Sequence, residues 1–301
     1  MTAILEALVV DGLVTERSAL SDFTTYKFGG PARWLAEVGD SSSLDRVVEA
    51  VTDQPDLEVA VVGRGSNLVV SDRGFDGLVL RLVGGFLDVA IEDDLVVAGG
   101  AAPLPRVARE AVKAGRGGLE FYVGIPGSVG GAVRMNAGCH GTETDEVLVA
   151  ADVVNIRSGE RSTRTPAELE MAYRHSNLQP DEMVVSARFQ TSDQTSEVGE
   201  RRLREITQWR KENQPGGTFN AGSVFKNPPD DHAGRIIDEL GLKGLQIGGA
   251  SVSERHANFF VAEPDTSAQN IHDLVAEVRR RVAEATGVTL EPEIMFIGDF
   301  S

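Results

Sequence analysis

Cysteine is almost missing. Cys139 is the only one in 301 residues, which rules out an internal disulfide and a Cys-rich zinc site. Basic charge is also short. With 29 Lys+Arg against 46 Asp+Glu the chain carries −17, which argues against non-specific nucleic-acid binding, because that needs a basic surface to displace phosphate counterions. A small anionic ligand stays open, since a few cations and backbone N–H groups make a local positive pocket. No apolar run approaches the ~18 residues of a membrane span, and no basic segment leads into an apolar stretch at the N-terminus. The common fingerprints are absent too. There is no P-loop, no G-x-G-x-x-G between strand and helix, no H-E-x-x-H and no G-x-S-x-G elbow. These absences leave a soluble, mixed α/β protein of a reducing compartment, with length for about two domains.

Short apolar runs alternate with helical patterns in the first third. Residues 34–38 and 57–62 read as strands, with Leu44, Val47, Val48 and Val51 at helical spacing between them, capped by Ser41–Ser43. Segments 67–70, 78–82, 86–91 and 95–98 read as a strand series. Leu104, Val107, Ala108, Ala111 and Val112 predict a helix closed by Gly115. From Gly115 to Gly141 the chain is dense in glycine and has no periodicity, yet it carries Phe121, Tyr122, Ile125, Val129 and Met135. That pattern predicts an ordered loop bringing backbone close to a ligand. Strands are expected at 149–156 and 183–189, and the polar stretch 190–198 is the best boundary. Beyond it, Leu203, Ile206 and Trp209 mark a surface helix, and Ile236, Ile237 and Leu240 a short helix closed by Gly241. A strand is expected at 257–262. Thr266 and Gln269 are spaced as a capping box for a helix through Val282, and 289–297 is strand-like.

Two glycine-rich loops carry the chemical signal. Gly63-Arg64-Gly65-Ser66-Asn67 follows a strand, and Gly124-Ile125-Pro126-Gly127-Ser128-Val129-Gly130-Gly131-Ala132 leads into Met135-Asn136-Ala137-Gly138. Glycines allow close backbone approach, and successive N–H groups can cup an anion. Two such loops in one chain favour a diphosphate cradle over a pair of plain turns. Cys139-His140 is a poor nucleophile–base pair, because adjacent residues of an extended chain point apart. His175 and His256 match no metal spacing. In 220–228, alternation puts Ser223, Phe225 and Asn227 on one face, with a solvated edge strand as the competing reading.

Read together, these segments resemble the UDP-N-acetylenolpyruvoylglucosamine reductase family, over about residues 20 to 298. Thr24-Thr25-Tyr26-Lys27-Phe28-Gly29-Gly30-Pro31-Ala32 resembles the entry to its flavin domain. Gly63 to Leu68 and Gly124 to Ala132 resemble its two FAD loops. Tyr173-Arg174-His175-Ser176, Gly222-Ser223-Val224-Phe225-Lys226-Asn227-Pro228 and Leu290-Glu291-Pro292-Glu293 resemble its three catalytic signatures. Gly241-Leu242-Lys243-Gly244 and Ser253-Glu254-Arg255-His256-Ala257-Asn258 resemble its substrate domain. The short path between Ser176 and Met183 resembles the compact subtype, which lacks a substrate-covering insertion.

The resemblance implies an α+β fold: an FAD-binding unit of the vanillyl-alcohol oxidase type over 20–192 (lobes about 20–82 and 83–192), a smaller α+β substrate-binding domain over 199–290, and a tail 291–301 returning to the active site. It implies an NADPH-dependent oxidoreductase with non-covalent FAD, acting on a nucleotide sugar in peptidoglycan precursor synthesis, cytoplasmic and monomeric. Arg174, Ser223 and Glu293 are the implied catalytic residues. Gly63, Arg64, Gly65, Ser66, Asn67, Leu68, Gly124, Ile125, Pro126, Gly127, Ser128, Gly131, Asn136, Ala137 and Gly138 are the implied FAD contacts. Tyr173, Lys226, Asn227, Lys243 and His256 are the implied substrate contacts. Two positions depart from the family pattern: Met295 stands where an arginine is usual, and Cys139-His140 where Ala-Tyr is usual. An FAD oxidase of the same fold with another substrate, and a non-catalytic nucleotide-sugar binder, remain as alternatives.

Overall fold

The computed structural model describes residues 3–217 and 219–301. They form two compact units that alternate along the chain. The first holds residues 3–17, Arg33–Arg64 and Gly77–Trp209; the second holds Ser18–Ala32, Gly65–Asp76 and Arg210 onward. This differs from the boundaries expected at 20–192 and 199–290. Buried Tyr26 and Val69 belong to one apolar core with Val224, Phe225, Phe260, Leu274 and Ile294. The segment 190–198 is no linker either, because Ser192–Asp193 pairs antiparallel with Arg116–Gly117.

The first unit has two lobes. One is a four-stranded sheet ordered Val14–Ala19, Pro31–Val38, Phe75–Leu82, Val59–Val61, with helices Ala3–Val10 and Ser41–Thr52 in its core. Its last two strands run parallel, Val59 beside Leu78. The second helix buries Leu44, Val47, Val48 and Val51, as their spacing requires. Its cap is Asp40, however, whose carboxylate accepts from the Ser43 N–H at 2.8 Å while Ser43 bonds back, so Ser41–Ser43 are the first turn. The other lobe is an antiparallel sheet ordered Arg161–Arg164, Leu148–Asn155, Glu182–Gln190, Leu95–Gly99, Val89–Glu92. Helices Leu104–Lys113 and Val129–Met135 pack on it. The expected strand at 86–91 starts late, because Gly84–Leu87 is a 3-10 turn. Ser176 passes directly to Glu182 with no intervening element.

The second unit packs helices Ala233–Glu239 and Ala268–Thr286 on the strands Gln246–Ile247, Ala250–Val252 and Phe260–Ala262. The long helix is capped by Ser267, whose Oγ accepts from the Asn270 N–H at 3.2 Å, rather than by Thr266. Thr266 donates instead to the carbonyls of Gly249 and Glu263. The Asp72 carboxylate adds a second cap, accepting from the N–H groups of Ala268 and Gln269 at 2.9 and 3.2 Å. Of the strand expected at 289–297 only Met295–Ile297 forms, parallel to Leu68–Val70. The preceding residues bond elsewhere.

Candidate active site

Both glycine loops reach one cavity in the first unit. The strand Val59–Val61 runs out into Gly63, where an added Cβ would lie 2.5 Å from Ser128 Oγ and displace that hydroxyl. Ser128 is buried and caps Val129–Met135 by accepting from the Gly131 N–H at 3.4 Å. The loop around it is fixed to the backbone ahead of helix Leu104–Lys113. Leu104 N–H donates to Gly127 O at 3.1 Å, Val129 N–H to Ala102 O at 3.0 Å and Gly130 N–H to Gly100 O at 2.8 Å. Arg64 Nε donates to Pro126 O at 3.1 Å. The cavity measures about 190 Å³, and Gly63, Arg64, Arg81, Ser128, Gly131 and Arg134 are on its wall. The glutamate there, Glu182, is already paired with Arg164 and accepts from the Gln179 N–H at 2.9 Å. Burial alone would raise its carboxyl; the Arg164 and Gln179 hydrogen bonds and the charges of Arg164 and Arg134 outweigh that and hold it below the ordinary range. Arg81 pairs with Glu37 at 2.7 Å, while Arg64 and Arg134 donate to backbone carbonyls, so the wall keeps a positive balance that suits a polyanion.

The remaining loop residues divide. Gly124, Ile125, Pro126 and Gly127 form the loop without being among the cavity's lining. Gly65, Ser66, Asn67 and Leu68 belong to the second unit. At Gly65 (φ +59°) a Cβ would fall 1.9 Å from Phe23 O, so packing within that unit explains the glycine. Asn67 is tied to the tail: its Nδ2 donates to Glu293 O at 2.9 Å, and its carbonyl accepts from Met295 N–H at 2.9 Å.

Asn136, Ala137 and Gly138 lie at Arg174 and are not among the cavity's lining. Asn136 is held within this cluster. It is fully buried in the left-handed region (φ +39°), and its side chain donates to Glu143 Oε2 and Ala172 O at 3.2 and 3.1 Å and accepts from the Asp145 N–H at 2.9 Å. No donor hydrogen of its amide is left for a cofactor. Arg174 sits at the tip of a turn closed by Ala172 and His175, at φ +53°. Its guanidinium donates to Glu143 Oε1 at 3.0 Å, Gly138 O at 3.0 Å and Asn136 O at 3.5 Å, and lies 4.8 Å from the Tyr173 ring centre. Burial raises the Glu143 carboxyl above the ordinary range, with Asp145 and Glu146 adding to the rise and Arg174 opposing it.

Ser223 and Glu293 lie in the second unit on segments held by backbone. The segment around Ser223 is not a regular strand. Ser223 bridges Phe259, Phe225 bridges Pro292, and Val224 and Phe225 are both buried, so neither the alternating face nor the solvated edge describes it. Val224 O accepts from Glu293 N–H at 2.7 Å, and Lys226 N–H donates to Glu291 O at 2.9 Å. Buried Asn258 accepts from Phe225 N–H at 3.0 Å and donates to Phe225 O at 2.8 Å. Lys226 pairs with Glu291 and Lys243 with Asp238, both at 2.6 Å. Asn227 Oδ1 accepts from the Ala233 N–H that opens the short helix. His256 is half-buried against the Phe259 ring; burial and then the Lys243 charge hold its imidazole below the usual range, a backbone hydrogen bond partly offsetting them. Met295, in place of the family's arginine, is 54% exposed. Sequence reasoning missed Glu143, Arg81 and the clamp made by Asn258.

Known proteins bear on this arrangement. Residues 33–163 match the family model described as FAD binding domain, and residues 214–297 the one described as UDP-N-acetylenolpyruvoylglucosamine reductase, C-terminal domain. The chain is 43% identical to the UDP-N-acetylenolpyruvoylglucosamine reductase of Parvibaculum lavamentivorans, over 96% of this chain and 92% of that one. It is 42% identical to the enzyme of that name from Synechococcus sp., over 99% and 97%. The crystal structure of UDP-N-acetylenolpyruvylglucosamine reductase from Thermus caldophilus aligns with a TM-score of 0.82 at 38% identity, covering 94% of this chain and 98% of that one.

Proposed function

The chain belongs to the UDP-N-acetylenolpyruvoylglucosamine reductase family, and from that premise we propose that it reduces UDP-N-acetylglucosamine enolpyruvate to UDP-N-acetylmuramate with NADPH and FAD, in peptidoglycan precursor synthesis. The observation that carries this reading is the cavity where Gly63 and Ser128 meet among Arg64, Arg81 and Arg134. Its close backbone approach and surplus of guanidinium groups suit the FAD diphosphate, with Gly63, Arg64, Ser128 and Gly131 as the contacts. When bound, FAD supplies the hydride route from NADPH to the terminal carbon of the enolpyruvyl double bond.

The protein's part is charge and proton placement. Hydride addition leaves negative charge on the neighbouring carbon and the carboxylate oxygens of the substrate. Arg174, permanently cationic and already oriented by three acceptors, offsets that charge. Glu293, in its protonated form, donates a hydrogen bond to the same carboxylate, and Ser223 delivers the proton that completes the reduction. Lys226, Asn227, Lys243, His256 and Tyr173 take the nucleotide sugar. Glu291 and Asp238 are the present partners of the two lysines. Part-exposed ion pairs of this kind contribute about 1 kcal/mol or less, so a phosphate displaces them at little cost. The unit with Arg33–Arg64 and Gly77–Trp209 is read as the FAD domain, and the unit with Ser18–Ala32, Gly65–Asp76 and the residues from Arg210 onward as the substrate domain. NADPH and nucleotide sugars are intracellular pools, so the reading includes action in the cytoplasm, as a monomer.

The test is anaerobic. NADPH should bleach the flavin of the purified holoenzyme, and the enolpyruvyl nucleotide sugar should restore its colour with UDP-N-acetylmuramate as product. Ser223→Ala should bleach normally and regain colour on the order of 10²–10⁴-fold more slowly. Parental protein that stays bleached with substrate would overturn the reading, and a fast Ser223→Ala would move the proton to another donor.

A further inference from the structure

We propose that Glu143 is the positioning residue for Arg174, and that Asn136 and Gly138 serve Arg174 through it rather than a cofactor. The inference rests on the reading of Arg174 just given. Arg174 begins as a poor candidate for fixed charge. It has a long side chain, at the tip of a turn, on a backbone with φ +53°. Its function demands one orientation, because a preorganised charge stabilises a developing one only where it already points.

Glu143 supplies that orientation from a hairpin. Gly138–Cys139 pairs with Thr142–Glu143, so Glu143 faces Gly138 in register. One carboxylate oxygen takes Arg174 Nη1 at 3.0 Å and the other takes Asn136 Nδ2 at 3.2 Å. The Glu143 backbone is fixed as well, its N–H donating to Glu146 Oε1 at 2.8 Å. Gly138 makes the room: a Cβ there would stand 2.7 Å from Glu143 Cγ. Its carbonyl then accepts from Arg174 Nη2. The Asn136 side chain is thus engaged with Glu143, Ala172 and Asp145, the carbonyls of Asn136 and Gly138 with Arg174, and the Ala137 backbone with Ala132 and Thr144.

Stability is a weak reason for this arrangement, since part-exposed ion pairs contribute little. Orientation is the stronger one, because a displacement near 1 Å can slow chemistry about 100-fold. Glutamine at 143 cannot replace glutamate. It offers one acceptor oxygen, and whichever way the amide turns, its NH₂ meets a donor, Asn136 Nδ2 or Arg174 Nη1. Asn136 cannot turn to suit it without breaking its bonds to Asp145 N–H and Ala172 O.

The experiment follows flavin colour in two half-reactions of the holoenzyme. Glu143→Ala should retain FAD and bleach with NADPH at the parental rate. Its reoxidation by the enolpyruvyl nucleotide sugar should slow about 10- to 100-fold, with KM for that substrate within about threefold. Gly138→Ala should show the same selective loss. Glu143→Gln should be slow as well, in the reoxidation alone. Reoxidation of Glu143→Ala at the parental rate would overturn the inference. So would loss of flavin or equal slowing of both half-reactions, since those return the string to the cofactor or to the fold. Arg174→Ala separates the two levels. If it reoxidises at the parental rate, the reading of Arg174 fails and the inference with it; if it is slow while Glu143→Ala is fast, only the inference fails.

Discussion

Two buried asparagines, one in each unit, hold the residues proposed to react, and do so in opposite ways. Asn136 acts through side chains: it grips Glu143, and Glu143 grips Arg174. Asn258 acts on backbone: its amide pairs with both polar groups of Phe225, while its carbonyl accepts from Val224 N–H at 2.8 Å. The segment carrying Ser223 is then closed on its other edge by Glu291 and Glu293. A side-chain tether can be cut with little harm to the fold and direct harm to a charge. A backbone clamp cannot, because cutting it leaves buried N–H and C=O groups unpaired.

The largest effect should come from cutting the clamp. Asn258→Ala strands the N–H and C=O of fully buried Phe225, at about 1–3 kcal/mol each. Urea unfolding should report about 2–6 kcal/mol, and amide exchange should rise first in the second unit. Asn258→Asp, which keeps the acceptor alone, should fall between. A loss below about 1 kcal/mol in the alanine variant would break the comparison, because the segment would then be held without its clamp. Asn136 should cost less and separate into parts. Asn136→Gly removes three hydrogen bonds while accepting φ +39°, for about 2 kcal/mol. Asn136→Ala adds the left-handed penalty of about 1 kcal/mol. Equal stabilities of the two variants would show that the backbone there is not strained.

How much of this was legible follows from how far each signal travels along the chain. The helix over Leu104–Lys113 and the long helix Ala268–Thr286 were readable, because burial at every third or fourth residue is a local pattern. The two loops that carry Gly63 and Ser128 were readable because glycine-rich loops announce themselves, but the approach of the one residue to the other was not. Strand Arg161–Arg164 was not, since it is a polar, half-exposed edge with no apolar run. Helix Val129–Met135 was hidden by Gly130 and Gly131 in its first turn. The alternation of the two units depends on Tyr26, whose hydroxyl donates to Phe260 O across 234 residues, and on Asp72 capping a helix 196 residues away. Arg174, Ser223 and Glu293 were nominated by resemblance. Glu143 had no local mark at all, because its partners are 7 and 31 residues distant and its neighbours Asp145 and Glu146 look alike in sequence.

Acid gives the smallest effect and the sharpest form of the comparison. In the second unit, His256 Nδ1 accepts the Asn258 N–H at 3.3 Å, so a proton on Nδ1 breaks a bond to the clamp. Burial first, and the Lys243 charge after it, hold the folded imidazole below its ordinary 6.5. The unfolded chain therefore binds the proton more readily, and the stability His256 contributes is complete above pH 6.5 and lost as pH falls through the folded value. In the first unit Glu182 is held below its ordinary 4.5, so its contribution lasts until the pH drops under 4.5. Glu143 runs the other way. Its carboxyl is raised by burial, so protonation there favours the fold while weakening the hold on Arg174. Mild acid should thus loosen the fold of the second unit and the chemistry of the first. Between pH 7 and 5, the protection of the Asn258 and Phe225 amides, corrected for the intrinsic slowing of exchange in acid, should fall, while that of the Asp145 N–H, which Asn136 holds, stays level. His256→Phe, which keeps an aromatic ring against Phe259 and has no proton to gain, should flatten the response in the second unit. The same acid dependence in parent and variant would detach His256 from it and leave the clamp indifferent to pH.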